Sequence, residues 1–300
     1  MDVFLQQIVN GLTIGMIYAL IALGYTMVYG IARLINFAHG EVFMVGAYLG
    51  LVAQGLAARF FPDAPILLTP FVFLFAMGGS ALLGVTIEKF AYRPLRTAPR
   101  LAPLITAIGV SFLLQNIVML IAGPSDQNFP PFFEVKKYSW RSVNFTSLQI
   151  LIAVVSLTLM AALHWFVKKH KIGKAMRALA DDRQAASLIG VPVDQVISTA
   201  FLIGSALAGA GGVMFGMYYN TVNFHDGYLA GLKAFTAAVL GGIGNIPGAM
   251  LGGVLLGVLE GLGAGYLSSE WKNVFAFFIL ILILLVRPSG LLGTRVVKKV

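Results

Sequence analysis

The sequence predicts an all-α polytopic membrane protein with about eight or nine transmembrane helices, some of them discontinuous or half-spanning, and with a possible inverted repeat. Three observations carry that prediction. Of the 300 residues, 58% are hydrophobic and 11% are charged, whereas a soluble domain carries about 25% charged residues. Mean hydropathy is +0.87, and uncharged runs recur at about the 20-residue length that a bilayer core demands of a helix. The Lys and Arg residues behind the formal net charge of +9 collect in short segments between those runs, so the charge reports topology and not nucleic-acid binding.

In chain order the uncharged runs extend from Val3 to Ala32, Val42 to Ala58, Ala64 to Ile87, Leu101 to Ser125, Ser142 to Val167, Gln195 to His225, Ala234 to Leu259 and Asn273 to Val286. All but the last approach or exceed spanning length. They leave no room for a separate extramembrane domain, so residues 1–300 read as a single transmembrane domain. The first run follows no basic segment and is expected to stay as a span, unlike a cleaved signal. With no Cys, disulfides, thiolate metal sites and a cysteine nucleophile are excluded.

The run from Ala234 to Leu259 is interrupted by Gly241-Gly242-Ile243-Gly244-Asn245-Ile246-Pro247-Gly248. Gly and Pro at that density predict a short half-span, a reversal and a second span. Irregular backbone at membrane depth is tolerated only against protein or a water-filled path, which makes Gly244, Asn245, Pro247 and Gly248 candidates to line a route. A second polar interruption, Asn36 to Glu41, adds Asn36, His39, Gly40 and Glu41 to that set, because ionisable groups near the membrane are costly. They read equally well as hydrated residues at the cytoplasmic interface. Glu260 poses the same alternative near the outer face. The sequences Asn36-Phe37-Ala38-His39-Gly40 and Asn223-Phe224-His225-Asp226-Gly227 match at three of five positions, each just after a long span, and the topology set out below places the first inside and the second outside, as an inverted repeat requires.

An external N-terminus and nine crossings place Arg33, Lys89, Arg93, Arg96, Arg100, Lys168, Lys169, Lys171, Lys174, Arg177, Arg183, Arg287, Arg295, Lys298 and Lys299 on the cytoplasmic side. Those are 15 of the 21 basic residues; Arg59, Lys136, Lys137, Arg141, Lys233 and Lys272 fall outside. The division follows the positive-inside rule and puts the C-terminus in the cytoplasm. The external segment Gly123 to Ser147, with mixed charge and Pro130-Pro131, reads as an exposed loop that could receive a soluble binding protein.

The longest hydrophilic stretch runs from Lys168 to Val196. Within it Lys174 to Ile189 is expected to form one helix, rich in strong helix formers and ended by Gly190 and Pro192. The four His residues lack ligand spacing, and no Gly-x-x-x-x-Gly-Lys-Ser/Thr phosphate cradle occurs. No metal or nucleotide site is expected in this chain, and any ATPase would be another subunit.

Arg177-Ala178, Asp181-Asp182, Gln184-Ala185-Ala186 and Gly190-Val191 resemble the coupling loop of permease subunits of ATP-binding-cassette importers. Tyr25-Thr26-Met27-Val28-Tyr29-Gly30, Ile35 to Glu41, Gly46-Ala47-Tyr48, Ala91-Tyr92-Arg93-Pro94-Leu95-Arg96, Lys233 to Gly244 and Arg287 to Gly293 are similar, from end to end, to signatures of the branched-chain amino acid permeases of that class. The resemblance implies that Arg177, Ala178, Asp181, Asp182, Gln184, Ala185 and Gly190 couple to an ATPase. It also implies a bacterial inner-membrane complex with a second homologous permease, two cytoplasmic ATPases and a periplasmic protein delivering leucine, isoleucine or valine. This chain would bind no cofactor, and its partners would use ATP and Mg. Permeases for urea, short amides and other amino acids share the family. An ion-coupled transporter or a channel would call for midplane carboxylates or a ring of selectivity groups, which the long runs offer sparsely.

Overall fold

The computed structural model describes residues 2–60, 65–99, 101–140 and 143–293. Arg100, Arg141, Arg295, Lys298 and Lys299, counted above in dividing the two sides, and the run boundaries Ala64 and Ser142, lie outside them. Among the described residues eleven α-helices follow in order: α1 (Asp2–Ala32), α2 (His39–Phe60), α3 (Pro65–Ile87), α4 (Leu101–Ala122), α5 (Ser147–Lys169), α6 (Lys171–Asp181), α7 (Arg183–Leu188), α8 (Val193–Tyr219), α9 (Asp226–Gly241), α10 (Ile246–Tyr266) and α11 (Lys272–Val286). Seven of them, α1 to α5 with α8 and α10, are long and apolar enough to cross a membrane. The 16-residue α9 and the 15-residue α11 are shorter.

Helix ends follow local chemistry. Thr146 and Gln149 form a reciprocal capping box at the start of α5, the side chain of each accepting the backbone N–H of the other. α3 ends in a π-helical turn, Glu88–Tyr92, followed by a 3-10 turn, Arg93–Leu95, where Pro94 prevents further regular helix. The segment expected as an exposed loop instead contains a hairpin, β2 (Lys137–Trp140) with β3 (Val143–Thr146), and a strand β1 (Gln127–Asn128) paired with β4 (Thr221–Val222). Both small sheets sit at the same end of the bundle as the start of α1, where Gln6 Nε2 donates to the Asn144 carbonyl at 2.9 Å.

Two three-helix units, α1–α2–α3 and α8–α9–α10, pack as inverted counterparts. α1 lies along α10 and α8 lies along α3; α1 and α8 cross at Gly24 and Gly204, and the first turn of α2 meets the first two turns of α9 at Gly40, Gly227 and Gly231. Arg33 and Asn220 are the non-glycine residues with positive φ among the described residues, at 55° and 58°. Each stands three positions before the Asn of its five-residue motif, so both units reverse direction in the same way. The correspondence between Asn36 and Asn223 is therefore structural. Glycines set the closest contacts, as expected where helices associate without a hydrophobic force between them: a Cβ on Gly253 or Gly257 would strike the α1 backbone at Ala19 or Gly15.

Candidate functional site

The site grows from the two reversals. After α1 the chain turns back on itself, and α2 begins inside the bundle with His39 packed on Gly24, in the body of α1. Asn36, His39, Gly40 and Glu41 are all buried, not hydrated at an interface, because the turn at Arg33 carries them back between the helices. Tyr92 donates its hydroxyl to Asn36 Oδ1 at 2.6 Å. The His39 ring meets the Tyr25 ring edge-on, 4.8 Å between centroids. Glu41 Oε1 accepts from Ser111 Oγ at 3.0 Å and from Gln115 Nε2 at 2.7 Å, both in the middle of α4. Its other oxygen has no hydrogen-bond partner among the described residues and faces Gly227, where a Cβ would strike it. The carboxylate thus lies between the first turn of its own helix and the first turn of α9, two partially positive helix ends.

Beside the turn that ends α1 lies the break between α9 and α10, where a Cβ on Gly30 would meet Gly244. Gly242 and Gly244 take φ of 106° and 94°, and Asn245 caps α10 by accepting from Gly248 N at 3.0 Å. The helix resumes at Ile246, so Gly248 is helical and packs on Gly241; the Asn cap followed by Pro247 in the first turn starts the helix earlier than glycine content suggested. The Arg287 to Gly293 signature has a visible task here. Leu291 N and Leu292 N donate to the carbonyls of Leu240 and Gly241 at 2.8 and 3.0 Å, and Asn245 Nδ2 donates to the Leu292 carbonyl at 2.7 Å. The chain after α11 satisfies the backbone that the break leaves open.

The hydrophilic stretch, expected as one helix from Lys174 to Ile189, forms two. His170 begins α6, and Asp182, in an extended conformation, ends α6 and caps α7 by accepting from Gln184 N at 2.8 Å and Ala185 N at 3.0 Å. An Asp side chain competes for nearby backbone N–H groups and so favours a cap over a helix interior. α6 buries Gly173, Met176 and Leu179 against the bundle. Arg33 Nη2 donates to the Ala180 carbonyl at 2.6 Å. Gly190 takes the left-handed conformation expected of it, φ 84°. Beyond the break in the stretch, Gln184, Ala185 and Gly190 are exposed, as are Leu188 and Ile189 at 87% and 78%.

A cavity of about 870 Å³ joins these parts. Its walls include Arg177 and Asp181 of α6, Gly244, Asn245 and Pro247 of the break, and Arg33 and His164. A smaller space of about 60 Å³ separates α6 from Gly30 and Gly244. The structure therefore brings most of the break and part of the hydrophilic stretch to one cavity, while Asn36, His39, Gly40 and Glu41 form a separate buried group. Ala178 of α6 is half-buried, and Asp182 is taken up in capping.

Two clusters escaped the sequence reading. Glu88, fully buried, pairs with Arg93 at 3.1 Å and with Arg96, which also pairs with Asp194 in the first turn of α8; Ser198 Oγ donates to Glu88 at 2.7 Å. These bonds tie the end of α3 to the start of α8, where the hydrophilic stretch returns to the bundle. Lys233, counted outside by the charge division, and Glu260, placed near the outer face, are instead buried together between α9, α10 and α1.

Membrane-length helices, paired discontinuities and buried ionisable groups define a multi-pass membrane protein built as a transporter is built. A family model described as branched-chain amino acid transport system / permease component matches residues 7–284, and the chain belongs to that family. It is 48% identical to the high-affinity branched-chain amino acid transport system permease protein LivH of Salmonella typhimurium, over 99% of this chain and 98% of the relative. It is also 48% identical to the corresponding protein BraD of Pseudomonas aeruginosa, with the same coverage. At 25% identity it resembles the autoinducer 2 import system permease protein LsrC of Photorhabdus laumondii, over 94% of this chain and 81% of that one.

Proposed function

We propose that this chain is the membrane-spanning permease of an ATP-driven importer that admits leucine, isoleucine and valine to a bacterial cytoplasm. The whole chain acts as one permease domain in the inner membrane, with its N-terminus periplasmic. A periplasmic binding protein delivers the substrate, a second homologous permease completes the path, and two ATPase subunits bind and hydrolyse ATP with Mg. The relatives' names support the substrate class.

One observation carries the mechanism: α6 forms a wall of the cavity that the α9–α10 break also lines, while α7 and the apolar Leu188 and Ile189 project beyond it. Two exposed apolar side chains at the tip of a charged segment suit insertion into a partner's groove, with Gln184 and Ala185 beside them at close approach. Movement of the ATPase is transmitted through α7 across the Asp182 joint to α6, and from α6 to Arg33, Gly30 and Gly244. Coupling is reciprocal, so a loaded binding protein at the far end stimulates ATP hydrolysis at this one.

The test is ATP hydrolysis and leucine uptake by the reconstituted complex, with and without loaded binding protein. Ala185→Trp and Leu188→Asp are expected to leave insertion intact and to lower ATPase capture and stimulated hydrolysis at least tenfold. Wild-type uptake by both variants would reduce α7 to a spacer and end the coupling assignment.

A further inference from the structure

Lys233 is the one buried Lys or Arg among the described residues. It leaves α9 and inserts between α10 and α1, its Nζ 2.9 Å from Glu260 Oε1, 3.3 Å from the Tyr18 hydroxyl and 5.7 Å from the centre of the Tyr18 ring. Glu260 is 2% exposed, and its Oε2 has no hydrogen-bond partner among the described residues.

Packing does not require this pair. Lys233 stands ten residues after Asn223, as Gly46 stands ten after Asn36, and at Gly46 in that first unit α2 meets Gly209 of α8 and Ser80 of α3 without any charge. The ionic site is an addition to one half of a pseudo-symmetric scaffold. A buried ion pair is also a weak stabiliser, because loss of hydration offsets much of the attraction, and a buried carboxylate oxygen without a donor needs an explanation of its own.

We infer that Lys233 and Glu260 are the polar site through which an amino-acid zwitterion passes. Lys233 receives the substrate carboxylate and Glu260, beginning with the unengaged Oε2, receives the ammonium. In the empty protein the two groups neutralise each other; with substrate present each exchanges its internal partner for the oppositely charged end of the ligand, so no charge is stranded in the apolar bundle. Tyr18 holds the ammonium of Lys233 in place during that exchange. The inference rests on the amino-acid reading given above and adds the groups that recognise the part common to leucine, isoleucine and valine.

The deciding experiment measures binding-protein-dependent uptake of radiolabelled leucine by the full complex in proteoliposomes, beside recovery of the assembled complex. In Lys233→Met/Glu260→Leu an apolar pair replaces the ionic one. If the pair were only structural, this variant would transport within twofold of wild type, and the inference would be overturned. Expected instead is normal assembly with uptake at least tenfold lower. Glu260→Gln keeps the shape and an acceptor for Lys233, and decides the matter if the double variant does not assemble: a tenfold fall supports the site, and wild-type uptake removes it. Should the unaltered complex hydrolyse ATP and take up no leucine, the amino-acid reading itself fails, an outcome visible without any variant.

Discussion

At the scale of single residues, Asp182 and Gly190 decide the shape of the hydrophilic stretch. Asp182→Ala removes the acceptor for two N–H groups of α7, a loss of about 1 kcal/mol by the usual worth of such a cap. The variant is expected to assemble, with faster amide hydrogen exchange confined to residues 183–188. Gly190 has no neighbouring atom within 4 Å of a would-be Cβ, so space is not at issue and only its φ of 84° is. Gly190→Val is expected to cost about 1–2 kcal/mol locally through the left-handed backbone, whereas Gly190→Asn, which tolerates that region, retains most of the coupling. Equal loss of stimulated ATP hydrolysis in the two variants would locate the effect in the side chain and refute the backbone account. The glycine stop was legible in the sequence; the Asp182 joint was not. Asp fits an exposed helix face as readily as a cap, and only the extended backbone at that position separates them. Lys233 was hidden for a different reason. A charge division counts every Lys as an end marker, and nothing in the sequence announces that Glu260, 27 residues away, will meet it in the interior.

At the scale of elements, the contacts that matter most are between backbones. α10 approaches α1 along Gly253, Gly257 and Gly261, opposite Ala19, Gly15 and Gly11. Gly257→Leu would place a side chain where the α1 backbone stands, an overpacking cost of about 1–3 kcal/mol or more, and is expected to reduce recovery of folded protein in a detergent stability assay. Gly55→Leu is the matched control, since nothing lies within 4 Å of its Cβ position. Similar losses in both would mean that hydrophobic bulk, not close approach, sets the effect. The clustering of glycines in apolar runs made such contacts readable in kind, but not which helices they join: α1 and α10 are separated by most of the chain. The α9–α10 break was readable for the same reason, because Gly and Pro constrain the backbone locally. Its support by residues 291 and 292 was not, since those hydrogen bonds are between backbone groups and leave no periodic pattern.

At the scale of the whole molecule, the inverted repeat ties orientation to function. The two units run in opposite directions, so whichever end carries the turn at Arg33 also carries α6, α7 and the α9–α10 break, while the strands and the start of α1 share the other. Among the described residues the first end holds Lys168, Lys169, Lys171, Lys174, Arg177 and Arg183 on one stretch alone, and the second holds Arg59, Lys136, Lys137 and Lys272. Moving Lys233 to the interior takes one charge from the external count and so strengthens the imbalance that the positive-inside rule reads. Ser187 on α7 and Ser125 beside the strands therefore report opposite faces. In a chain without native Cys, Ser187→Cys and Ser125→Cys can each be made singly and labelled with a membrane-impermeant maleimide in spheroplasts. Labelling is expected at position 125 before lysis and at position 187 only after it. The reverse pattern would put α7 on the face where the binding protein is proposed to dock, and no cytoplasmic ATPase could then reach Leu188 and Ile189; the proposed importer would lose its engine while the fold stood unchanged.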